Sequence, residues 1–164
     1  MKRLIVTVLV LLVTTAFVQA TVAKEPDLET EHMRVYSIEG EFETYREALE
    51  MAITNRGIVV NNVAHIAAML QRTAADVGGE SIYKEGQAYE FCSAIISRRT
   101  MEADVHNIVF CPYIVVVYVT EAEPDRVYVS YRRPPLVGDE ASQKSLQAVE
   151  DLLEEITQET LDAF

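Results

Sequence analysis

Two cysteines, Cys92 and Cys111, are the residues of this 164-residue sequence best suited to covalent chemistry. They are not spaced as Cys-x-x-Cys, so the pattern differs from that of a thioredoxin-like protein. In an exported protein the default for exactly two cysteines is a disulfide. Alternatively, Cys92 is an activated thiol or a soft metal ligand, because it precedes a predicted helix whose positive end lowers a thiol pKa. Inert buried thiols are the third interpretation.

The disulfide hypothesis also predicts a topology. Cys92 ends one predicted strand, and Cys111 begins the next after an intervening helix. If these strands are parallel, the cysteines lie at opposite ends of the sheet, beyond the roughly 7 Å Cα limit for a disulfide. If the strands are antiparallel, the two ends meet.

One histidine extends the cysteine pair into a hypothetical metal or haem site. Imidazole from His65, thiolate from Cys92 and Cys111, and thioether from Met69 or Met101 are soft or borderline donors that suit copper or haem iron. Their spacings match no metal-binding motif. The alternative is a capping or surface histidine with methionines that fill the core.

Two arginine pairs are candidates for anion binding. Arg98 and Arg99 form one pair and Arg132 and Arg133 the other, and guanidinium groups suit a carboxylate or a sulfur oxyanion. The alternative is ordinary pairing with the 26 acidic residues, and pairs such as Glu154 and Glu155 are typical of a solvated helix face. Phosphate loops, Gly-x-Gly-x-x-Gly and Gly-x-Ser-x-Gly are absent from the sequence, so no catalytic residue is assigned.

The first twenty residues have the pattern of a secretory signal. Lys2 and Arg3 precede an uncharged apolar run at 4–18, and small residues place cleavage after Ala20 or Ala23. The run is shorter than the roughly 20 residues of a membrane span. We therefore expect an exported protein, in the periplasm, with an oxidising environment around its cysteines.

Composition narrows the function classes. The formal net charge is −12, with 14 basic and 26 acidic residues, and 49% of residues are hydrophobic. Nucleic-acid binding needs a basic face, and docking on an anionic membrane needs the same, so both partners are disfavoured. The length suits one domain with a real core.

The elements that position these residues alternate between strand and helix. After a flexible segment at 21–32, we predict a strand at 33–38, a helix at 44–56 with a Thr44–Glu47 capping box, and a short strand at 58–60. A helix at 66–77, a loop at 80–87 and a strand at 89–92 follow. A helix at 94–103 is capped by Ser93, and a hairpin at 114–132 leads to a long acidic helix from about Ser142.

This order predicts a single α+β domain at 33–164: a two-layer α/β sandwich with a mixed sheet of four to five strands and helices packed on it. The hairpin's first strand is apolar on both faces, which is typical of a central strand.

Several stretches resemble a bacterial and archaeal family, the domain of unknown function 302. The resemblance covers about residues 33–133 and rests on the stretches at 63–68, 91–93, 101–104, 110–112 and 127–131. It implies a compact two-layer α/β sandwich that is often dimeric. It implies no established activity.

Together these patterns favour a small exported binding or accessory protein that holds a small anion, a metal or a partner protein through Cys92, Cys111 and His65. One alternative is a thiol-based redox protein or enzyme that uses Cys92. The other is a disulfide-stabilised interaction module that assembles, for instance as a homodimer, through the acidic helix or a sheet edge. The sequence identifies no particular cofactor.

Overall fold

The computed structural model describes residues 23–163, which form an α+β fold. Its strands are β1 (Leu28–Glu29), β2 (Met33–Glu39), β3 (Val60–His65), β4 (Tyr83–Phe91), β5 (Tyr113–Thr120) and β6 (Arg126–Arg132). Its helices are α1 (Phe42–Thr54), α2 (Ile66–Val77), α3 (Ala94–Ala103) and α4 (Glu140–Leu161), and a 3₁₀ helix spans Val105–Phe110. The predicted alternation of strands and helices is confirmed, with β1 added at its start.

The strands form one open sheet in the order β1-β2-β6-β5-β4-β3, and every neighbouring pair is antiparallel. The expected mixed sheet of four to five strands is therefore wrong. A helix between two strands suggested a parallel crossover, but here α2 and α3 join antiparallel neighbours. The sixth strand is β1, whose two residues lie in the segment expected to be flexible and pair with β2 at Val35 and Arg34.

One face of the sheet carries the core. Alternate residues of β4, β5 and β6 point to this face, as the two-residue period of a strand requires. They pack with the buried faces of α1 and α4, and β5 lies in the middle, as predicted from its apolar sequence. The largest fully buried side chains include Tyr36, Tyr89, Tyr131, Phe91, Leu49, Ile53, Leu146, Leu153 and Ile156.

The opposite face is partly covered by α2. Gly86 and Tyr118 are register partners, and both alternate with core-facing residues, so they point away from the core. A Cβ added at Gly86 would lie 3.5 Å from the Ala67 Cβ of α2, so the helix approaches the sheet closely at this point. Three tyrosines form a row across this face: Tyr118 stacks on Tyr128 with centroids 5.0 Å apart and meets Tyr83 edge-on at 5.7 Å.

Helix boundaries follow local signals in part. Both α2 and α3 have the predicted bounds, and the Ser93 side chain accepts the Ile96 N–H as the cap of α3. In contrast, α1 begins at Phe42 after Glu41, so Thr44 lies inside the helix and the predicted capping box is wrong. Similarly, α4 begins two residues before Ser142, because the Asp139 side chain caps it by accepting the Ser142 N–H.

Two strands differ from their predicted bounds. The short strand expected at 58–60 runs from Val60 to His65 instead, and its register shifts between Val60 and Asn62. The predicted loop at 80–87 is strand from Tyr83 onward, since β4 extends along the whole of β5. Pairing with a neighbour outweighs the polar composition of both segments.

The predicted signal at 1–20, with its first cleavage site after Ala20, lies outside the described residues, as does Phe164 of the acidic helix. Within 23–163, no helix combines the length and apolar character that a membrane crossing requires.

Candidate functional site

The two cysteines meet at one end of the sheet and form a disulfide. Phe91 and Tyr113 are register partners of the antiparallel β4 and β5, so Cys92 and Cys111 flank the same pair. Their Cα atoms lie 6.4 Å apart, within the usual range for a disulfide. Of the two topologies considered from the sequence, the structure has the antiparallel one, in which the two cysteines can form a disulfide. All cysteines of the described chain are accounted for by this bond.

A small polar cluster lies directly under the disulfide. Ser97 of α3 places its Oγ 3.6 Å from the Cys111 Sγ and 2.9 Å from the Oη of the buried Tyr113. Burial raises the pKa of the Tyr113 phenol, and hydrogen bonds with Ser97 and Thr100 partly oppose the rise. The Cys111–Pro112 peptide is cis. Both cysteines are half-buried. Their bond joins the start of α3 to the start of β5.

A pocket of about 280 Å³ opens at the same end of the sheet. Its apolar walls come from the end of the 3₁₀ helix, the start of β5, the prolines after β6 and the core-facing side of α4. Its charged groups are the two arginines at the end of β6. The lining residues are Val109, Phe110, Pro112, Tyr113, Ile114, Arg132, Arg133, Pro134, Pro135, Val149 and Leu153.

Several apolar side chains on the elements at this end of the sheet are exposed. Ile95, Ile108 and Val109 are each more than half exposed, and Leu136 and Val137 are close to half exposed. These residues lie on α3, on the 3₁₀ helix and on the segment after β6, which all adjoin the disulfide end of the sheet. Exposed apolar residues grouped in this way are typical of a binding surface.

The four candidate arginines have different environments. Arg98 pairs with Glu102 at 3.8 Å, four residues along the helix, and both side chains are exposed. Arg99 is exposed beside it on α3. Arg133 is an internal counter-ion, because its Nε lies 2.7 Å from Glu150 and its Nη1 lies 3.0 Å from Glu29.

Arg132 differs from its neighbour. It is exposed, lines the pocket and has no ion pair within 23–163. The structure therefore does not join the two arginine pairs into one anion site. It leaves Arg132 as the cation available to a ligand in the pocket.

The hypothetical metal ligands do not come together. His65 pairs with Gln87, five residues along β4 from Cys92, which corresponds to roughly 17 Å at the rise of a strand. Both cysteine sulfurs are in the disulfide, and Met101 and Met69 lie on different helices. No group of three or more His, Cys, Asp or Glu residues within the described chain is arranged to hold a metal ion. The set His65, Cys92, Cys111 and Met101 is thus not one site in this structure.

A second polar cluster was missed by the sequence interpretation, which took Glu154 for a solvated residue. Its carboxylate accepts hydrogen bonds from Tyr36 at 2.7 Å, Tyr131 at 2.6 Å, Arg34 at 3.0 Å and Gln158 at 2.7 Å. The neighbouring Glu155 is exposed, as expected.

The electrostatics of this cluster keep each group in one protonation state. Burial alone would raise the pKa of Glu154, but the hydrogen bonds from its neighbours outweigh it and lower that pKa. Burial, together with the adjacent carboxylate, raises the pKa of Tyr36 and Tyr131 well above the ordinary phenol value. A carboxylate with four donors is fully satisfied, so this cluster is a structural link between α4 and the sheet.

Two comparisons place the fold among known proteins. A family model described as "Domain of unknown function DUF302" matches residues 33–163. A crystal structure of an uncharacterized conserved protein DUF302 from Bacillus stearothermophilus is similar, with a TM-score of 0.66 and 19% identity over 77% of this chain and 96% of that one. At this identity the likeness shows the fold alone. A search of curated proteins found no match.

Proposed function

The chain belongs to the DUF302 family, and from that premise we propose that this member is an exported binding module with a disulfide-stabilised ligand pocket. One observation carries the proposal: the pocket between the 3₁₀ helix, β5 and the end of β6 adjoins the disulfide and contains Arg132, which has no ion pair within residues 23–163. Apolar walls with a few oriented polar groups are typical of small-molecule sites.

The chemistry of the pocket favours a small anion with an apolar body. Pro112, Ile114 and Pro135 offer apolar surface, while the guanidinium of Arg132 can bind a carboxylate through two parallel hydrogen bonds. The volume of about 280 Å³ lies at the lower end of ligand pockets, so the ligand is small. The charge of Arg133 is already paired with Glu150, so Arg132 is the arginine assigned to the ligand.

Binding can be tested with a series of straight-chain monocarboxylates of increasing length. We expect affinity to increase with chain length until the pocket is full, since each buried methylene contributes about 0.8 kcal/mol. Arg132→Gln should weaken binding about tenfold, the worth of one charge-assisted contact. Arg98→Gln is the matched control, because Arg98 is also exposed but lies on α3 outside the pocket lining. No binding by any carboxylate, or equal loss in both variants, would contradict the proposal.

Export is supported by the signal pattern at 1–20 and by the oxidised cysteines, which suit an oxidising compartment. The intact mass of protein isolated from the periplasm without reductant tests both points. We expect a processed chain about 2 Da lighter than its reduced form, because disulfide formation removes two hydrogens. A full-length chain, or a periplasmic chain with free thiols, would contradict this part of the proposal.

A thiol redox carrier is the second candidate, and the position of Cys92 favours it. Cys92 directly precedes the cap of α3, so the positive end of that helix would stabilise a Cys92 thiolate once the bond is reduced. Alkylation of the reduced protein between pH 5 and pH 8 distinguishes the two candidates. Rapid labelling of Cys92 at pH 5 would support a redox role, and labelling only near pH 8 would support a purely structural disulfide.

A further inference from the structure

The residues that follow the predicted signal are tightly bound to the domain. We call residues 24–30 the N-terminal strap. The Asp27 N–H donates to the Val35 carbonyl at 2.8 Å, and β1 extends this pairing along the edge of β2. The Glu29 carboxylate accepts hydrogen bonds from Arg34 at 2.9 Å and from Arg133 at 3.0 Å. The strap therefore covers an edge strand that would otherwise present unpaired backbone groups.

The docked region begins at Lys24. Its backbone N–H donates to the Gln158 Oε1 at 2.8 Å, and its carbonyl accepts from the Gln158 Nε2 at 2.8 Å. The same Nε2 donates to Glu154 at 2.7 Å, so the amide of Gln158 is held in place by the buried carboxylate. Ala23, one residue earlier, is exposed, whereas Lys24 is half-buried.

This boundary coincides with one of the two cleavage sites in the sequence. Thr21 and Ala23 are small residues at the −3 and −1 positions of a cut before Lys24, and Val18 and Ala20 provide the rival site. Given the proposed export, we propose that a signal peptidase cuts the Ala23–Lys24 bond and that Gln158 then binds the new amino terminus. The rival cut would leave three residues ahead of the docked strap.

The chemistry of the cut fits the contacts at Lys24. Hydrolysis adds one water across the Ala23–Lys24 amide: the Ala23 carbonyl becomes a carboxylate and leaves with the signal, and the Lys24 nitrogen becomes an ammonium group. An amide nitrogen has one hydrogen to donate, whereas an ammonium group has three and carries a charge. The Gln158 Oε1 already lies at hydrogen-bonding distance from that nitrogen, and the negative Glu154 adjoins Gln158. Charge-assisted hydrogen bonds of this kind are stronger than neutral ones.

The position of the cut is tested by terminal sequencing and the intact mass of the periplasmic protein. We expect the mature chain to begin at Lys24. Ala23→Leu should move the cut to Ala20 because a large side chain replaces the small −1 residue, and the matched variant Ala20→Leu should leave the Lys24 terminus unchanged. A mature chain that begins at Thr21 would overturn this inference and leave export standing. A full-length chain would instead overturn export itself.

Binding of the amino terminus is tested by its rate of acylation at pH 7, with peptide mapping to separate the α-amine from the Lys24 side chain. Gln158→Leu should raise the α-amine rate about tenfold, since it removes a hydrogen bond to a charged group. Gln158→Glu keeps the acceptor oxygen and should keep the slow rate. Gln147→Leu is the control elsewhere on α4: within residues 23–163, the Gln147 side chain donates to Asp151 and does not contact Lys24.

A urea titration of each variant shows that it is folded under the assay conditions. Equal acylation rates in folded wild-type protein and Gln158→Leu would overturn the proposed binding of the amino terminus. Slow α-amine acylation in Gln158→Leu together with rapid acylation in the Gln147→Leu control would also overturn the proposed binding.

Discussion

Removal of the disulfide should lower the free energy of unfolding by about 3 kcal/mol. The perturbation is the double variant Cys92→Ser/Cys111→Ser, which leaves no thiol in the sequence. The bond joins residues 19 positions apart. The chain-entropy relation for a loop of that length gives an entropy loss in the unfolded state of about 11 cal/mol/K, or about 3.2 kcal/mol at 25 °C.

The native fold should survive this change. The closed loop contains α3 and the 3₁₀ helix, and α3 packs on α4 independently of the bond. Within the loop, the buried Asn107 donates to the Thr100 carbonyl at 3.0 Å and to the Ser142 Oγ of α4 at 2.8 Å. We therefore expect the loss of stability to come mainly from the unfolded chain, which gains freedom when the bond is absent.

Urea unfolding followed by circular dichroism and tyrosine fluorescence measures the effect, since the chain has eight tyrosines and no tryptophan. The double variant should also show a larger m-value, because its unfolded state is more expanded, and a midpoint of thermal unfolding lower by roughly 10 °C. Reductant should bring wild-type protein to the stability of the variant and leave the variant unchanged. A difference below about 1 kcal/mol would refute the loop-entropy reasoning for this bond.

Three further predictions concern the ion pairs, two glycines and the pH dependence. In urea titrations, Glu150→Gln should lower the free energy of unfolding by about 2–3 kcal/mol, because the buried Glu150 is the ion-pair partner of Arg133. The control Glu155→Gln should change it by less than about 0.5 kcal/mol, because Glu155 is exposed. Gly138→Ala should destabilise by about 1 kcal/mol more than Gly78→Ala: both glycines have positive φ, but only at Gly138 would the new Cβ lie within 2.9 Å of another side chain. The pKa of Glu154 is lowered in the folded state, so its contribution is complete above the unfolded value of about 4.3 and is lost as pH falls through the folded pKa. Stability measured from pH 6 to pH 3 should therefore fall less steeply in Glu154→Gln than in wild-type protein, and parallel curves would contradict this.

Local signals in the sequence predicted what depends on a few neighbouring residues. The bounds of α3 and its Ser93 cap follow from one hydroxyl placed before a helical pattern, and the structure confirms both. Simple geometry made a Cys92–Cys111 disulfide conditional on antiparallel strands, and the structure has both the antiparallel pairing of β4 with β5 and the bond. Features that depend on distant partners were not predictable in this way. The two residues of β1 are too few for a period-two pattern, and β3 takes its bounds from its pairing with β4.

The polar cluster on α4 shows why charge counting misjudged this helix. Glu150, Glu154 and Gln158 recur every four residues, so they form one stripe beside the apolar stripe that faces the core. Arg34 lies 120 positions from its partner Glu154, and Arg133 lies 17 positions from its partner Glu150. Neither helical spacing nor composition reveals these partners. A formal net charge of −12 therefore conceals two populations of carboxylates.

The two populations have different consequences for ligand binding. The paired carboxylates attach the N-terminal strap and the sheet edge to α4, and they engage Arg133. The exposed carboxylates contribute to the net negative charge of the whole protein, and Arg132 is the one cation without an ion pair among the residues that line the proposed ligand pocket. An anionic ligand must then approach against the field of the exposed acids, which slows association and makes it depend on salt. Added salt screens this repulsion and also weakens the Arg132 contact, so a rise in the association rate with ionic strength would indicate that the exposed acids dominate the approach.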